Sequence, residues 1–351
     1  MLETLIKQLA AAQSLDEAQV HAAVELLADE KIFPASKAEF LITLAQKGET
    51  PGEIAAFARA LCEKSVPLPI ENDWRHSREI LDIVGTGGDR LGTFNISTTS
   101  AIVCAAAGVA VAKHGNRAVT SQSGSADVLE ALGIRIDLTP EAAARSLREK
   151  NFAFFFAPNF HPAFKHIAPA RKLCAERGQR TIFNFLGPLL NPARPSAMLV
   201  GVPRAELCEP LARVLQSLGV RRGMVVTGKI GNRKSEIGNS IDELSTLGEN
   251  TIAEFYHERG FTTSVLSPEE FPLQPATLDD LLGGDKFQNA EITRRILRGD
   301  ERGPKRDAVL LNAGAALFVA GKTKSLAEGW DLAGETIDSG RADGKLAELA
   351  S

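Results

Sequence analysis

The stretch Ile80-Leu81-Asp82-Ile83-Val84-Gly85-Thr86-Gly87-Gly88-Asp89 decides how the chain is read. Its opening apolar, branched residues predict a strand, and that strand runs straight into a glycine loop. Glycine frees the backbone for positive φ and lets a ligand come close, so successive amides can turn inward as an anion nest. A tight turn with no ligand would use the same residues. The pattern is neither G-x-G-x-x-G nor G-x-x-x-x-G-K-[ST], so dinucleotide binding and P-loop ATP chemistry are poorly supported.

Working outward, strands and helices alternate downstream. A helix is expected over 100–107, stopped by Gly108, then a strand over 109–112. A helix over 126–132 stops at Gly133, Thr139-Pro140-Glu141 opens another, and 152–156 reads as a buried strand. Residues 161–177 read as helix with Gly178 as the stop, and 197–202, 205–218 and 224–227 repeat strand–helix–strand. Residues 251–258 and 261–266, joined by Arg259-Gly260, read as a hairpin. Helices return from Asn289 onward, over 307–320 and 324–337 among others. This order predicts an α/β fold with a sheet covered by helices.

Upstream the pattern differs. S/T-x-x-E capping boxes recur at Ser14/Glu17, Ser36/Glu39 and Thr50/Glu53, and Val20, Ala23, Val24 and Leu27 keep helical spacing. Nothing strand-like interrupts them, so a small helical lobe is expected, followed by a linker over 66–79 that contains Pro67 and Pro69.

At 351 residues the chain is long enough for two lobes, and 44% apolar with 24% charged residues is ordinary for a folded soluble protein. A net charge of -4 argues against nucleic acid as the partner. Arg294, Arg295, Arg298, Arg302 and Arg306 read as a solvated helix face. Cys62, Cys104, Cys174 and Cys208 form no C-x-x-C pair and read as buried reduced thiols. With no signal-like start and no window near the ~18 apolar residues of a membrane span, the expected compartment is the cytoplasm.

Chemistry concentrates in a few loops. Asn95-Ile96-Ser97-Thr98-Thr99-Ser100 puts more hydroxyls before a helix than one N-cap needs, and free amides there attract phosphate. Lys113-His114-Gly115-Asn116-Arg117 follows a strand, where open α/β sheets place ligands, and offers two cations. His114 invites a general-base reading, though a structural role is the more ordinary one for a loop histidine. Ser121-Gln122-Ser123-Gly124-Ser125 is a hydroxyl-rich loop ahead of a helix. Asp242-Glu243 offers the oxygen ligands that Mg²⁺ prefers, although acidic pairs are common on solvated surfaces. A ligand with two phosphate-bearing ends would explain why anion-binding loops recur over so short a span.

Taken together, Gly85–Asp89, Thr93-Phe94-Asn95-Ile96-Ser97-Thr98, Lys113–Arg117, Ser123-Gly124-Ser125-Ala126-Asp127, Phe183-Asn184-Phe185-Leu186-Gly187-Pro188-Leu189-Leu190-Asn191-Pro192, Asp242-Glu243-Leu244-Ser245 and Arg306-Asp307-Ala308-Val309-Leu310-Leu311-Asn312-Ala313 resemble the motifs of the anthranilate phosphoribosyltransferase family, in order and along nearly the whole chain. The resemblance implies that anthranilate attacks C1 of phosphoribosyl pyrophosphate (PRPP) and pyrophosphate leaves, on the path to tryptophan. It implies a small all-helical N-terminal domain over 1–66, completed by helices near 161–178, and a larger α/β domain over 80–351 whose central, mainly parallel sheet is flanked by helices. A homodimer joined through the helical parts is also implied.

Carried over residue by residue, Gly85, Gly88, Asp89, Thr93, Asn95, Ile96, Ser97, Thr98 and Ser125 would meet PRPP. Lys113, His114, Gly115, Asn116, Arg117, Ala118, Val119, Thr120 and Ser121 would form one wall of its pocket. Ser97, Asp242 and Glu243 would serve Mg²⁺, and Gly85, Asn116 and Arg171 would meet anthranilate, the guanidinium pairing with its carboxylate. No general base is assigned, because an aromatic amine is already a neutral nucleophile.

The chain departs from the family pattern at Arg90, where glycine is usual, at a longer and more basic 227–234, and at an extended 173–178. Two rivals remain. A pyrimidine nucleoside phosphorylase would place Lys-His-Ser before the glycine loop, whereas Lys113-His114 follow it; a non-catalytic nucleic-acid-binding paralogue would have a basic surface and no acidic pair.

Overall fold

The structure is a computed structural model that describes residues 1–118, 122–231, 239–257 and 259–351. Its sheet comprises β1 (Ile80–Gly85), β2 (Ala110–Gly115), β3 (Phe152–Phe156), β4 (Ala197–Gly201), β5 (Arg222–Lys229), β6 (Ser240–Ile241), β7 (Asn250–Tyr256) and β8 (Gly260–Leu266). The order is β3-β2-β1-β4-β5-β7-β8, with β6 beside β5. The five strands from β3 to β5 in that order pair in parallel, and β6, β7 and β8 add antiparallel pairs. The hairpin expected near 251–266 is therefore present as β7 and β8.

Parallel strands buried on both faces read as continuous apolar runs, and alternate residues go to opposite cores. On β4, Ala197 and Leu199 face one core while Met198 and Val200 face another. The first core is closed by helices Ile96–Ala106, Pro304–Val319, Leu326–Asp338 and Arg341–Ala350. The second is shared with the N-terminal helices and with Ile167, Ala170 and Cys174 of helix Phe164–Glu176. The helical lobe thus packs on the sheet through one continuous apolar core. Among the described residues no helix is long and apolar enough to cross a membrane.

Local signals hold at some positions and fail at others. The Thr50/Glu53 capping box forms, and Glu53 also accepts from Leu15 N–H at 3.0 Å and Lys47 Nζ at 2.7 Å, tying three parts of the lobe together. Helix Glu17–Ala28 is capped by Asp16 with Gln19 rather than by Ser14 with Glu17. Helix Pro34–Lys47 starts at its proline, which needs no N–H partner there, so Ser36 is no cap. The linker holds a short helix, Asn72–His76. Arg306 is not part of a solvated face: it is buried and bonds Asp338 through both terminal nitrogens at 2.9 and 2.8 Å. Cys104, Cys174 and Cys208 are buried and Cys62 partly so, all as free thiols.

Two boundaries move chemistry. The helix expected from residue 100 begins at Ile96, so Ser97, Thr98 and Thr99 form its first turn, with Asn95 as cap. The strand expected to end at Ala112 continues to Gly115, so Lys113 and His114 are buried strand residues and not members of an open loop. Both polar side chains tolerate this because each has a backbone carbonyl to bond, Ile83 for Lys113 and Gly187 for His114.

Candidate active site

From β1 the chain builds outward to β2 and β3 on one side, then to β4 and β5 on the other. That reversal opens a crevice beyond the carboxyl ends of β1 and β4. Gly85 and Gly201 end these two strands as register partners. A Cβ on Gly85 would overlap the Asp242 carboxylate, and one on Gly201 would overlap the Asp242 carbonyl. Two bare strand ends therefore let the turn carrying Asp242 and Glu243 lie directly on the crevice. Gly87 N–H donates to Asp242 Oδ2 at 2.6 Å, bringing the acidic pair and the glycine loop together across 155 residues of sequence.

The glycine loop is wound tightly, with positive φ at Gly87 (73°), Gly88 (93°), Arg90 (59°) and Gly92 (71°). Arg90 occupies a left-handed position without glycine's freedom, at a cost of about 1–2 kcal/mol. This gives the departure at residue 90 a physical meaning: glycine there would be relaxed.

Asp242 and Glu243 are only partly covered in surface area, yet protein surrounds them closely enough that burial is the first cause raising both carboxyls. The charge of Asp89 adds to the rise in each, while Lys113 opposes it for Glu243. Ser97 N–H donates to Glu243 Oε1 at 3.2 Å, at the start of a helix where the dipole favours negative charge. Crowded hard oxygens held above their ordinary pKa are a donor set a divalent cation would relieve. Among the described residues no three such side chains close into a complete metal cage. Mg²⁺ takes one or two carboxylates and fills its shell with water and phosphate oxygens, and Asp242 with Glu243 is such a pair.

Beneath the acidic turn, Lys113 is 2% exposed and donates to the Ile83 carbonyl at 2.6 Å. Burial lowers its pKa, against the pull of Asp82 and Glu243. Asp82 is fully buried; burial pushes it up to about 6, while Lys113, Asn191 and backbone amides hold it down. Asn191 donates to Asp82 Oδ2 at 2.8 Å and to the Ala112 carbonyl at 2.7 Å, which explains why the late Phe183–Pro192 motif belongs with the site. His114 Nδ1 lies 3.2 Å from the Gly187 carbonyl, and its ring meets His161 edge-on at 5.4 Å. Burial pushes His114 down to about 3 and His161 down to about 4, so both are neutral at pH 7.

The hydroxyl-rich turn is braced from the C-terminal half. Asn289 Nδ2 donates to Asn95 Oδ1 at 2.9 Å, and the hydroxyls of Thr99 and Thr293 meet at 3.0 Å. Phe94 N–H bonds the Leu281 carbonyl at 3.1 Å and Thr93 bridges Leu282. Thr98 Oγ1 is buried and has no protein partner among the described residues. Asn289 and Thr293 do not stand out in the sequence; buried polar side chains on an amphipathic helix were the available signal.

Arg117 is half-exposed and its guanidinium pairs with Asp127 at 2.9 Å and Glu130 at 3.1 Å. Asp127 also accepts from the N–H groups of Ala118 and Gly124 at 3.0 Å each, and Ser125 Oγ donates to the Asn116 carbonyl at 3.3 Å. Gly115 must be bare here too, since a Cβ would overlap Ser125 Oγ. Val119, Thr120 and Ser121 lie outside the described residues, as does 232–238 of the basic loop.

Arg171 is exposed on helix Phe164–Glu176, its guanidinium 5.1 Å from the centre of the Phe183 ring, and no carboxylate pairs with it among the described residues. Rings then continue inward, Phe183 to Phe164 at 5.6 Å, Phe164 to His161 at 5.5 Å and His161 to His114 at 5.4 Å. An aromatic wall therefore joins Arg171 to the end of β2.

The glycosyl transferase family α/β domain matches residues 77–343, and the helical bundle domain of that family matches residues 3–65. An anthranilate phosphoribosyltransferase of Petrotoga mobilis is 48% identical over 336 residues, 96% of this chain and 92% of the relative. The crystal structure of the Thermus thermophilus enzyme superposes with a TM-score of 0.86 at 43% identity, covering 99% of this chain and 98% of that one. The Saccharomyces cerevisiae enzyme in complex with PRPP and Mg gives 0.85 at 28% identity, covering 99% and 96%. Matched in sequence and fold along nearly its whole length, the chain belongs to the anthranilate phosphoribosyltransferase family, whose members move the phosphoribosyl group of PRPP onto the amine of anthranilate.

Proposed function

We propose that the crevice over β1, β2 and β4 holds PRPP between the 85–89 loop, the Asn95–Thr98 turn and the Lys113–Ser125 segment, with anthranilate toward Gly85, Asn116 and Arg171. The observation that carries this reading is the Gly87 N–H to Asp242 Oδ2 bond, which puts a carboxylate ligand against an anion-binding backbone. Ser97, Asp242 and Glu243 would hold Mg²⁺, which when bound supplies positive charge to the diphosphate oxygens.

The chain's own residues do the rest. As the C1–O bond breaks and the amine nitrogen bonds to C1, charge grows on the departing pyrophosphate. Lys113 and the amides of 85–89 stabilise it from fixed positions, so little reorganisation is needed. Arg171 pairs with the anthranilate carboxylate, and the aromatic wall keeps the ring and its amine close to C1. Neutral His114 and His161 line that wall; the uncharged amine attacks without prior deprotonation, and the proton its nitrogen then carries passes to water or to the released pyrophosphate.

A helical domain over 1–66 completed near 161–178, an α/β domain over 80–351, and a homodimer through the helical lobe complete the proposal. The shared core of the lobe with helix Phe164–Glu176 supports the division, and Phe33, 78% exposed on that lobe, supports a covered surface there. Four free thiols support a reducing, cytoplasmic setting. A net charge of -4 supports small-molecule substrates over nucleic acid.

Anthranilate fluorescence should decay on adding PRPP and Mg²⁺, and a chelator should abolish the decay. No decay, with phosphorolysis of uridine or thymidine instead, would reject the reading in favour of a nucleoside phosphorylase. Arg171→Ala should raise KM for anthranilate on the order of 10- to 100-fold, the range for losing a charge-assisted hydrogen bond of about 1.5–3 kcal/mol, with KM for PRPP little changed. Equal rises in both would reject the assigned contact.

A further inference from the structure

The turn carrying Asp242 and Glu243 is not held by its own sequence. Its next residue, Leu244, donates its N–H to Asn312 Oδ1 at 3.0 Å and receives Asn312 Nδ2 on its carbonyl at 2.9 Å. Asn312 comes from the middle of helix Pro304–Val319, and its amide also donates to the Ala308 carbonyl at 2.9 Å, which fixes the rotamer. One residue on, Ser245 is gripped the same way. Its N–H reaches Asn250 Oδ1 at 2.6 Å, and its carbonyl receives Asn250 Nδ2 at 3.0 Å. Asn312 and Asn250 are both fully buried. Each side-chain amide imitates a backbone partner in a two-stranded ladder, donating and accepting at one residue.

Such clamps are specific. A buried turn without a strand beside it would leave its N–H and C=O groups unsatisfied, which is strongly unfavourable. Asparagine alone among side chains of this length supplies donor and acceptor together without charge. We propose that Asn312 and Asn250 are positioning residues that set the angle and depth at which Asp242 and Glu243 meet the metal–diphosphate group. This inference rests on the assignment of Asp242 and Glu243 to Mg²⁺.

The test uses the full chain and a small set of variants. Asn312→Leu keeps the approximate shape but loses the acceptor for Leu244 N–H and both donor bonds; Asn250→Leu does the same at Ser245. In metal-free protein, hydrogen exchange at the Leu244 and Ser245 amides should quicken in the respective variants while the helices stay protected. Calorimetric binding of Mg²⁺-pyrophosphate should weaken by roughly 10- to 100-fold, the usual effect of removing a partner that orients a metal ligand, with KM for anthranilate unmoved. Thr336→Val, which removes a buried hydroxyl bond to the Leu332 carbonyl away from this turn, is the control for lost stability and should leave binding unchanged. Should an asparagine variant fail to fold, the other carries the test, because the two clamps sit on different elements. Glu243→Gln separates the two levels. If it fails to weaken Mg²⁺-pyrophosphate binding, the metal assignment falls; if it weakens binding and neither asparagine variant does, the positioning inference falls.

Discussion

Gly201→Ala is expected to lower kcat/KM by at least ~100-fold while leaving the fold intact, because displacing a positioned group by roughly 1 Å costs about that much. The added methyl would overlap the Asp242 carbonyl and lie 3.2 Å from its Cα. Those atoms are backbone, so no rotamer change relieves the clash, and the turn must lift off the strand end toward an ordinary contact of ~3.5–4 Å. Lifting it moves both carboxylates away from Gly87 and Ser97. The loss should fall on kcat and on the Mg²⁺ requirement more than on KM for anthranilate, whose proposed charged contact, Arg171, lies on the separate helix Phe164–Glu176. Circular dichroism and steady-state kinetics over a Mg²⁺ series check this. Gly344→Ala, in an exposed helix turn with open space around it, should be neutral to slightly stabilising by comparison. Wild-type kinetics in Gly201→Ala would mean that contact with the strand end does not set the turn.

Lys113→Met should be the most destabilising change in the site, by about 3–5 kcal/mol, the range for removing one partner of a buried ion pair. Methionine keeps the apolar stem but leaves Asp82, and in part Glu243, without their cation. The effect should grow with pH. Asp82 already has a folded-state pKa raised from 3.8 to about 6, and losing Lys113 raises it further. A carboxyl with a raised folded pKa holds its proton more tightly when folded. Its stabilisation is complete below the unfolded value and is lost as pH rises through the folded value. The difference in melting temperature between wild type and Lys113→Met should therefore be smaller at pH 5 than at pH 8. An equal difference at both would show that Asp82 does not depend on Lys113. Activity should fall as well, since Lys113 is the proposed counter-charge for departing pyrophosphate.

How much of this was readable beforehand depends on the range of each interaction. The glycine loop was legible because positive φ is a local demand, met by Gly87, Gly88 and Gly92. The alternation of apolar runs gave the α/β class, because a parallel sheet buried on both faces leaves continuous apolar strands. The Thr50/Glu53 cap was legible for the same local reason. Ser14 and Ser36 carried the same spacing and failed, since a better cap at Asp16 and a starting proline at Pro34 competed for the helix start. Strand ends escape a local reading where polar residues continue a strand: Lys113 and His114 look like loop because their partners, Ile83 and Gly187, are not neighbours in sequence.

Arg117 has partners that its own stretch does not announce: a basic residue in an anion-binding segment reads as a phosphate ligand, and here it also pairs with Asp127 and Glu130 on the next helix. Gly201 and Asn250 gave no signal by themselves, and Asn312, though inside a recognisable motif, gave none of its role, because a single glycine or asparagine is informative only once its neighbour is known.

Sequence alone settled the order of strands and helices, the helical lobe, and the loops able to bind anions, since these follow from backbone freedom and periodicity within a few residues. Tertiary structure decided that an acidic pair at 242–243 rests on two bare strand ends, that Lys113 is buried where the charges of Asp82 and Glu243 both act on it, and that Asn312 grips a turn 68 residues away. These are contacts between distant segments, and only the assembled sheet and its covering helices bring them within the few ångströms over which charge and hydrogen bonds act.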